Sequence, residues 1–337
     1  MTTMIHEFDP AGFASWEGFA ALGDVERARL GPSSRWLAEG RMRHFVLHDG
    51  GKPIARATAF VNPRMQDQPV PTGVFGSLDF GAAFAEHEAE LRELAGRAFA
   101  WLASQGMQRV RGPIDFSTWN RYRCVTQDWG YPPILGENAY EPRYARFFEG
   151  LLKPAGTYCS NLITDIEGGK KVAKYIRMEE AAERWGVQVE EIPLAEVEKH
   201  LPMFYELASR IFPLDWAFTP IGPEEFAEMM VPVARQAPDF RLMIARDPQG
   251  VPIGLVYGYL NPTSPKKTGV IKSMGVVPEY QGRKVAYLLT YRYHTAQLER
   301  GYVNFLHAMI KEDNLSRIMS MHFATKVRGY CIYEGEL

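Results

Sequence analysis

The sequence predicts an α/β (α+β) protein with two domains, each a mixed, mainly antiparallel sheet flanked by helices. Its 337 residues exceed what one hydrophobic core usually serves, so two cores are expected. Turn and strand patterns of the first half recur in the second half, about 195 residues later. We therefore predict a duplicated unit, with one domain over residues 1–167 and the other over 168–337.

The first shared landmark is a turn followed by a strand rich in apolar residues, at 49–60 and again at 247–259. The next strands, 73–80 and 269–277, also correspond, and a helix is expected after each of them. Strands that follow one another with interspersed helices favour a mainly antiparallel sheet over an alternating doubly wound fold.

Glycines and asparagines mark the later part of each repeat. Gly106 and Gly301 are predicted to end the two helices. A short strand then leads into a turn and a further helix, which contains Asn120 in the first half and Asn314 in the second. Between the halves, the polar segment 166–171 is expected to link the last strand of one unit to a helix over 172–185 of the next.

Composition indicates a globular protein without a large polyanionic partner. Hydrophobic residues make up 46% and charged residues 23%, and the net charge is −2, so nucleic-acid binding is not expected. Cys124, Cys159 and Cys331 are too few and too widely spaced for a disulfide framework or a metal site, which indicates a reduced, cytoplasmic setting. The absence of a long apolar run and of a leader pattern predicts a protein that is neither inserted into a membrane nor exported.

The segment 274–289 predicts an anion site. A strand runs into a sharp turn and then into a helix, whose first N–H groups point along the positive end of the helix dipole. Arg283 and Lys284 lie where cations disfavour a helix, and a bound diphosphate would offset them. The alternative reading of this basic pair is an ordinary solvated turn.

This stretch resembles the CoA-binding motif of the GNAT acyltransferases, Gln/Arg-x-x-Gly-x-Gly/Ala after a strand ending in Val and a proline-containing loop. Gln281, Val285 and Ala286 match the motif, whereas Lys284 replaces its central glycine and the nearest glycine is Gly282. A lysine at that position could narrow the site or add a phosphate contact. The whole chain looks like a tandem GNAT protein, through the internal repeat.

The resemblance implies acetyl-CoA or another acyl-CoA as co-substrate. Asn314 corresponds to the asparagine that lies beside the CoA arm, and it could also serve as an N-cap. The backbone N–H groups of Val276 and Val277 would hold the thioester oxygen. The residues expected to bind acyl-CoA are therefore Val276, Val277, Gln281, Gly282, Arg283, Lys284, Val285, Ala286 and Asn314.

The family reaction is direct attack of an amine on the thioester, which requires a base and an acid for the departing thiolate. The tyrosine that often follows the family's asparagine is absent here, and His322 lies in its neighbourhood. The catalytic residues stay open, and each candidate also has an ordinary packing role. The candidates are His322, His307, Tyr330, Tyr333 and Lys272, with Tyr257 beside Lys272 in the acceptor cleft.

The resemblance implies an acyl-CoA-dependent N-acyltransferase acting on a small amine or an amino acid. Two alternatives stay open: a catalytically silent acyl-CoA sensor, and a Fem-like transferase that uses aminoacyl-tRNA. The first half is expected to be a degenerate copy without a CoA site. After its strand 73–80 the motif is missing, and Glu86, Glu88 and Glu90 at the helix start would repel a diphosphate.

Overall fold

The computed structural model describes residues 3–11, 29–65, 70–81, 83–137, 139–175, 177–313 and 324–337. Within these ranges, thirteen strands belong to one sheet. The strands are β1 (Thr3–Phe8), β2 (Arg41–Asp49), β3 (Lys52–Val61), β4 (Thr72–Asp79), β5 (Arg109–Gly112), β6 (Cys124–Asp128), β7 (Lys153–Ile163), β8 (Gln188–Ile192), β9 (Arg241–Arg246), β10 (Pro252–Leu260), β11 (Thr268–Val276), β12 (Asn304–Lys311) and β13 (Thr325–Glu336).

Helices flank the sheet along its length. The α-helices are α1 (Arg35–Glu39), α2 (Ala83–Glu86), α3 (Glu88–Ser104), α4 (Pro142–Glu149), α5 (Ile166–Tyr175), α6 (Glu180–Trp185), α7 (Leu201–Ile211), α8 (Pro223–Gln236) and α9 (Val285–Leu298). Short 3-10 turns lie at Leu194–Glu196, Phe212–Leu214 and Pro278–Tyr280.

The spatial order of the strands is β1-β2-β3-β4-β5-β13-β7-β12-β11-β10-β9-β8, and β6 pairs with β13. Most neighbours are antiparallel, whereas β4 with β5 and β11 with β12 are parallel. In each half, consecutive strands are antiparallel neighbours until one parallel pair of strands follows. The predicted fold class, mixed α/β with a mainly antiparallel sheet, is confirmed.

The last strand of each half lies beside strands of the other half. β13 ends the chain, yet it pairs with β5 and β6 of the first half and with β7. β7, in turn, pairs with β12 of the second half, where Asn161 lies opposite His307. The sheet is consequently continuous across the predicted domain boundary at 167/168, and that boundary stays a prediction.

Two local predictions were wrong. The segment 166–171 is the start of α5, because the Asp165 carboxylate accepts the Gly168 N–H at 2.8 Å and caps the helix. A second helix, α6, follows separately. Asn120 lies in an irregular segment, where its N–H donates to Ser117 O in a turn at 3.1 Å.

The two largest hydrophobic cores pack against opposite ends of the sheet. In the first half, α3, the helix expected after strand 73–80, buries Leu91 and Leu94. In the second half, α9 buries Leu288, Leu289 and Tyr293 against the sheet. Each leucine contributes about 1.5–3 kcal/mol by leaving water. This packing fixes the start of α9 relative to the end of β11.

Candidate functional site

β11 and β12 separate in the middle of the second half. They pair in parallel from Thr268–Asn304 to Ile271–His307, and no further pairs follow along the described strands. Met309, whose φ is 55°, interrupts β12, which continues along β7 instead. A cleft therefore opens between the end of β11 and the end of β12.

Only one of the two predicted thioester donors can face this cleft. The Val277 N–H donates to Ile253 O of the neighbouring strand at 2.9 Å, so it is used within the sheet. Because successive peptide groups of a strand point to opposite sides, the Val276 N–H is directed toward the cleft. On that same side, Gln281 Nε2 donates to Val276 O at 3.3 Å. Of the two predicted thioester donors, Val276 therefore has the N–H that lies outside the pairing with β10, whereas the N–H of Val277 is already used.

The turn after β11 has the geometry of an anion site. It continues through the 3-10 turn and Gly282, whose φ is 76°, to Lys284 at the N-cap of α9. Lys284 has a φ of 58°, a left-handed conformation that favours glycine and costs a side chain about 1 kcal/mol. The N–H groups of Val285 and Ala286 lie in the first helical turn, where intrahelical acceptors do not exist.

Both cations of the turn have partners on or near α6. Lys284 Nζ donates to Glu180 Oε2 at 2.5 Å, and this hydrogen bond lowers the pKa of Glu180. The Arg283 guanidinium lies over the rings of Trp185 and Tyr280, at 4.9 and 4.8 Å. The tertiary fold therefore also offsets these cations, with a carboxylate and two aromatic rings, besides the bound anion that the sequence predicts.

A large cavity adjoins the cleft. This central cavity has a volume of about 1140 Å³ and is bounded by both halves of the chain. Residues of the separated ends of β11 and β12 line it, together with α1, α8 and loops of the first half. Its polar and aromatic lining includes Trp36, Trp119, Tyr122, Arg123, Glu137, Tyr158, Asp215, Trp216, Tyr257, Lys272 and His307.

Lys272 and Tyr257 both line the central cavity, as the sequence predicted for an acceptor cleft. Burial, and to a smaller extent the Arg123 cation, lower the pKa of Lys272 to about 7, although Glu137 opposes the change. Burial raises the pKa of Tyr257 to about 12. At neutral pH, Lys272 is therefore divided between amine and ammonium, and Tyr257 is a neutral phenol.

His307 lies at the point where the strands separate, but its ring is engaged. Its Nε2 lies 3.1 Å from Nε2 of His294, so one ring donates and the other accepts. Burial lowers the pKa of His307 to about 4, and burial together with the neighbouring His307 ring holds the pKa of His294 well below its usual value. Both imidazoles are neutral at pH 7, which makes His307 a weak base.

The other candidates are not brought to the cleft. Tyr330 is buried, and its hydroxyl lies 3.0 Å from both Glu137 and Ser160. Tyr333 stacks on Phe148 within the core of the first half and is not among the residues that line the central cavity. Asn314 and His322 lie outside the described residues.

Arg123 was not among the predicted site residues, yet it lines the central cavity from the first half. Its side chain is only 4% exposed, although the cavity reaches it. The surrounding sequence, Arg-Tyr-Arg-Cys at 121–124, carries no recognisable motif. Its partners come from distant strands, so only the folded chain reveals its position.

Among the described residues of the first half, side chains engage the strand edge that corresponds to the cleft of the second half. Phe80 and Val276 each lie eight residues beyond the first parallel pair of their strand, which begins at Thr72 and Thr268. The Phe80 N–H donates to the Tyr144 hydroxyl at 3.1 Å. The N–H group of the first half that corresponds to the Val276 N–H therefore already donates to a tyrosine hydroxyl.

Neighbouring donors of that edge are also used. The Leu78 N–H donates to the Tyr140 hydroxyl at 3.1 Å, and the Ser77 N–H donates to the Asp115 carboxylate at 2.6 Å. These side chains therefore accept the N–H groups that the edge of β4 would otherwise offer to a ligand. A pantetheine chain would have to displace them to pair with this strand.

The described residues form neither a metal cluster nor a membrane-spanning helix. Among the described residues, no group of three or more His, Cys, Asp or Glu side chains is arranged to hold a metal ion. None of the helices within the described ranges is long and apolar enough to cross a membrane.

Comparisons with known proteins agree with this geometry. Residues 201–330 match the model of the acetyltransferase (GNAT) family, so the second half contains a domain of that family. No curated protein sequence matches the chain.

Solved structures extend the likeness to the whole fold. A tandem GNAT protein from the clavulanic acid biosynthesis pathway aligns over 99% of this chain and 98% of its own, with a TM-score of 0.53 and 12% identity. A GCN5-related N-acetyltransferase from Sphaerobacter thermophilus aligns over 99% and 95%, with a TM-score of 0.50 and 14% identity. Eis1 from Mycobacterium abscessus aligns over 99% and 73%, with a TM-score of 0.52 and 12% identity. The chain therefore has the fold of tandem GNAT proteins.

Proposed function

We propose that the second half binds acyl-CoA and transfers its acyl group to the amine of a small molecule or an amino acid held in the central cavity. One observation carries the proposal: β11 and β12 separate beside the central cavity, and the end of β11 leads through the turn directly into the N-terminus of α9. An acyl thioester in the cleft would have its diphosphate near the helix N-terminus. Its carbonyl would lie beside the acceptor.

The turn supplies the contacts for the diphosphate. Gly282, Val285 and Ala286 would present backbone N–H groups to the phosphate oxygens, as helix N-termini commonly do, whereas the Gln281 N–H donates to Pro278 O at 3.2 Å and closes the turn beside them. Arg283 and Lys284 contribute positive charge nearby, whether or not they leave their protein partners. Asn314 would lie beside the CoA arm, as the family resemblance implies.

Direct transfer needs a donor for the oxyanion and a base for the acceptor ammonium. The Val276 N–H would donate to the thioester oxygen. Lys272 would take the proton from the ammonium, because a base is most effective when its pKa is near the working pH. The resulting neutral amine then attacks the thioester carbonyl, the C–S bond breaks to release the CoA thiolate, and the proton that the attacking nitrogen loses as the amide forms passes to that thiolate.

The first half would serve as a wall of the acceptor site and not as a second CoA site. Its strand edge is occupied by Tyr140 and Tyr144, and its helix starts carry Glu86, Glu88 and Glu90. Calorimetric titration should therefore give one CoA per chain. Two equivalent sites would contradict this assignment.

The test is a turnover screen of acyl-CoAs of several chain lengths against a panel of amines, read by release of the free thiol. Thermal unfolding with and without CoA runs beside it, because a ligand that binds only the folded state raises the melting temperature. We expect a thermal shift and thiol release with at least one pair. No shift at millimolar CoA would reject the proposal, and a shift without turnover would favour an acyl-CoA-binding protein.

A further inference from the structure

Arg123 is a cation buried in the wall of the central cavity. Its guanidinium lies over the rings of Tyr122, Tyr158 and Tyr330, at 3.8, 4.6 and 5.7 Å. Among the described residues, no carboxylate forms an ion pair with it, and its Nε and Nη1 atoms have no hydrogen-bond partner. Such a group is energetically costly, because removing a charge from water is unfavourable unless a partner replaces the water.

The surrounding rings offset only part of this cost. A cation over an aromatic ring gains about 0.5–2 kcal/mol, which is less than the penalty for burying an unpaired charge. The backbone nevertheless holds Arg123 in place: its N–H donates to Pro113 O at 3.1 Å and its carbonyl accepts the Tyr140 N–H at 2.9 Å. Its φ of 66° lies in the left-handed region, which a bulky side chain rarely adopts. The fold therefore maintains a strained, unpaired cation at this position.

Two glutamates of the cavity wall already have arginine partners. Glu137 accepts two hydrogen bonds from Arg328 at 2.7 and 2.8 Å, and Glu225 accepts one from Arg64 at 2.8 Å. These pairs do not involve Arg123. Arg123 thus keeps two guanidinium nitrogens, Nε and Nη1, without a partner among the described protein groups, besides its side-chain hydrogen bond with Tyr122.

We propose that the acceptor is an aminocarboxylate, and that Arg123 binds its carboxylate while Lys272 receives the proton from its amine. The guanidinium fork matches a carboxylate, and a charge-assisted hydrogen bond is about twice as strong as a neutral one. This inference rests on the proposed acyl transfer. It narrows the acceptor class from amines in general to amines that carry a carboxyl group.

The placement of Lys272 agrees with this assignment. Lys272 lines the same cavity, and its charge is close enough to Arg123 for the arginine to lower its pKa. Lys272 also lies close to Gly136, the residue before Glu137: a Cβ placed on Gly136 would be 3.9 Å from the Lys272 Cε. A carboxylate bound at Arg123 therefore brings an attached amine into the neighbourhood of the proposed base.

The first experiment uses the unaltered protein and matched acceptors. Each amino acid that the turnover screen identifies is compared with its primary amide, its decarboxylated amine and its aminophosphonate. We expect kcat/KM to fall at least about thirtyfold when the carboxylate becomes an amide or is removed, as for the loss of one partner of a buried charged pair. Equal rates for acid and amide would overturn the inference while leaving acyl transfer intact. Faster reaction of the phosphonate would overturn the choice of a carboxylate.

The second experiment replaces the arginine. Arg123→Met should lower kcat/KM for the acid at least about thirtyfold and leave the amide within about threefold, so the preference disappears. Arg97→Met is the matched control, since Arg97 is exposed on α3 and pairs with Glu93. An equal loss for acid and amide would indicate a structural role and contradict the inference. If Arg123→Met does not fold, the matched acceptors decide alone.

Asp215 is the carboxylate that could instead serve Arg123 within the protein. It lines the cavity and acts electrostatically on the hydroxyls of Tyr122 and Tyr158, which contact the arginine. Asp215→Asn should keep the preference for the acid. A loss of preference equal to that of Arg123→Met would make Asp215 the true partner and refute substrate binding by Arg123. Thiol release with none of the amines would instead count against acyl transfer itself.

Discussion

Replacing Lys272 by methionine should stabilise the protein while abolishing acyl transfer. The pKa of Lys272 falls from 10.5 to about 7 in the folded chain, chiefly through burial. Because the folded pKa lies below the unfolded one, the unfolded chain holds the proton more tightly and the charged lysine destabilises the fold. At about 1.36 kcal/mol for each pKa unit, the full effect is about 5 kcal/mol.

The destabilisation depends on pH in a defined direction. It is complete below about pH 7, where the folded lysine is protonated, and it disappears as the pH rises toward about 10.5. Lys272 borders the cavity, where water screens its charge, so we expect Lys272→Met to raise the free energy of unfolding by about 2–5 kcal/mol at about pH 6. At about pH 9 the gain should fall to about 2 kcal/mol or less.

Urea denaturation at both pH values measures the effect, with Lys266→Met as an exposed control on the loop before β11. Acyl-CoA affinity should stay unchanged, because Lys272 is separate from the turn before α9. A variant that is less stable than the unaltered protein at about pH 6, or a gain that is equal at both pH values, would refute the burial argument. Retained turnover would refute the role of Lys272 as base.

Three further predictions concern the strand edges, the basic turn and the chemistry. Tyr144→Phe leaves the buried Phe80 N–H without an acceptor and should cost about 1–3 kcal/mol in urea denaturation, whereas a changed CoA affinity would show that the first half takes part in binding. Arg283→Glu combined with Lys284→Glu should remove the thermal shift caused by CoA, and a retained shift would place the site elsewhere. Burial raises the pKa of Cys331 to about 11, so mass spectrometry should detect no acyl adduct on this thiol, and an adduct required for turnover would exclude direct transfer.

The sequence determined those features that are encoded locally. Alternating strands and turns at 49–60 and 247–259 revealed the repeat, since each pattern lies within a few neighbouring residues. The turn that precedes α9 was recognisable for the same reason. Both halves contain their predicted hairpins, and residues 201–330 of the second half match the GNAT family model.

Only the tertiary structure decided which groups face one another. Lys284 meets Glu180, and Tyr144 meets the strand edge of the first half, through contacts that residue types do not encode. Sequence spacing also left Val276 and Val277 equivalent, whereas pairing with β10 uses the N–H of Val277.

The acceptor site shows the limit most clearly, because its two proposed contacts lie in different halves. Arg123 directly precedes β6, and Lys272 lies on β11. They come near each other because the last strand of each half pairs with strands of the other half. Their electrostatic coupling and burial depend on distances through space. The sequence therefore determined the family of the second half and the CoA turn to be tested, while long-range strand pairing decided the cavity, the charge left unpaired within it and the pKa of the candidate base.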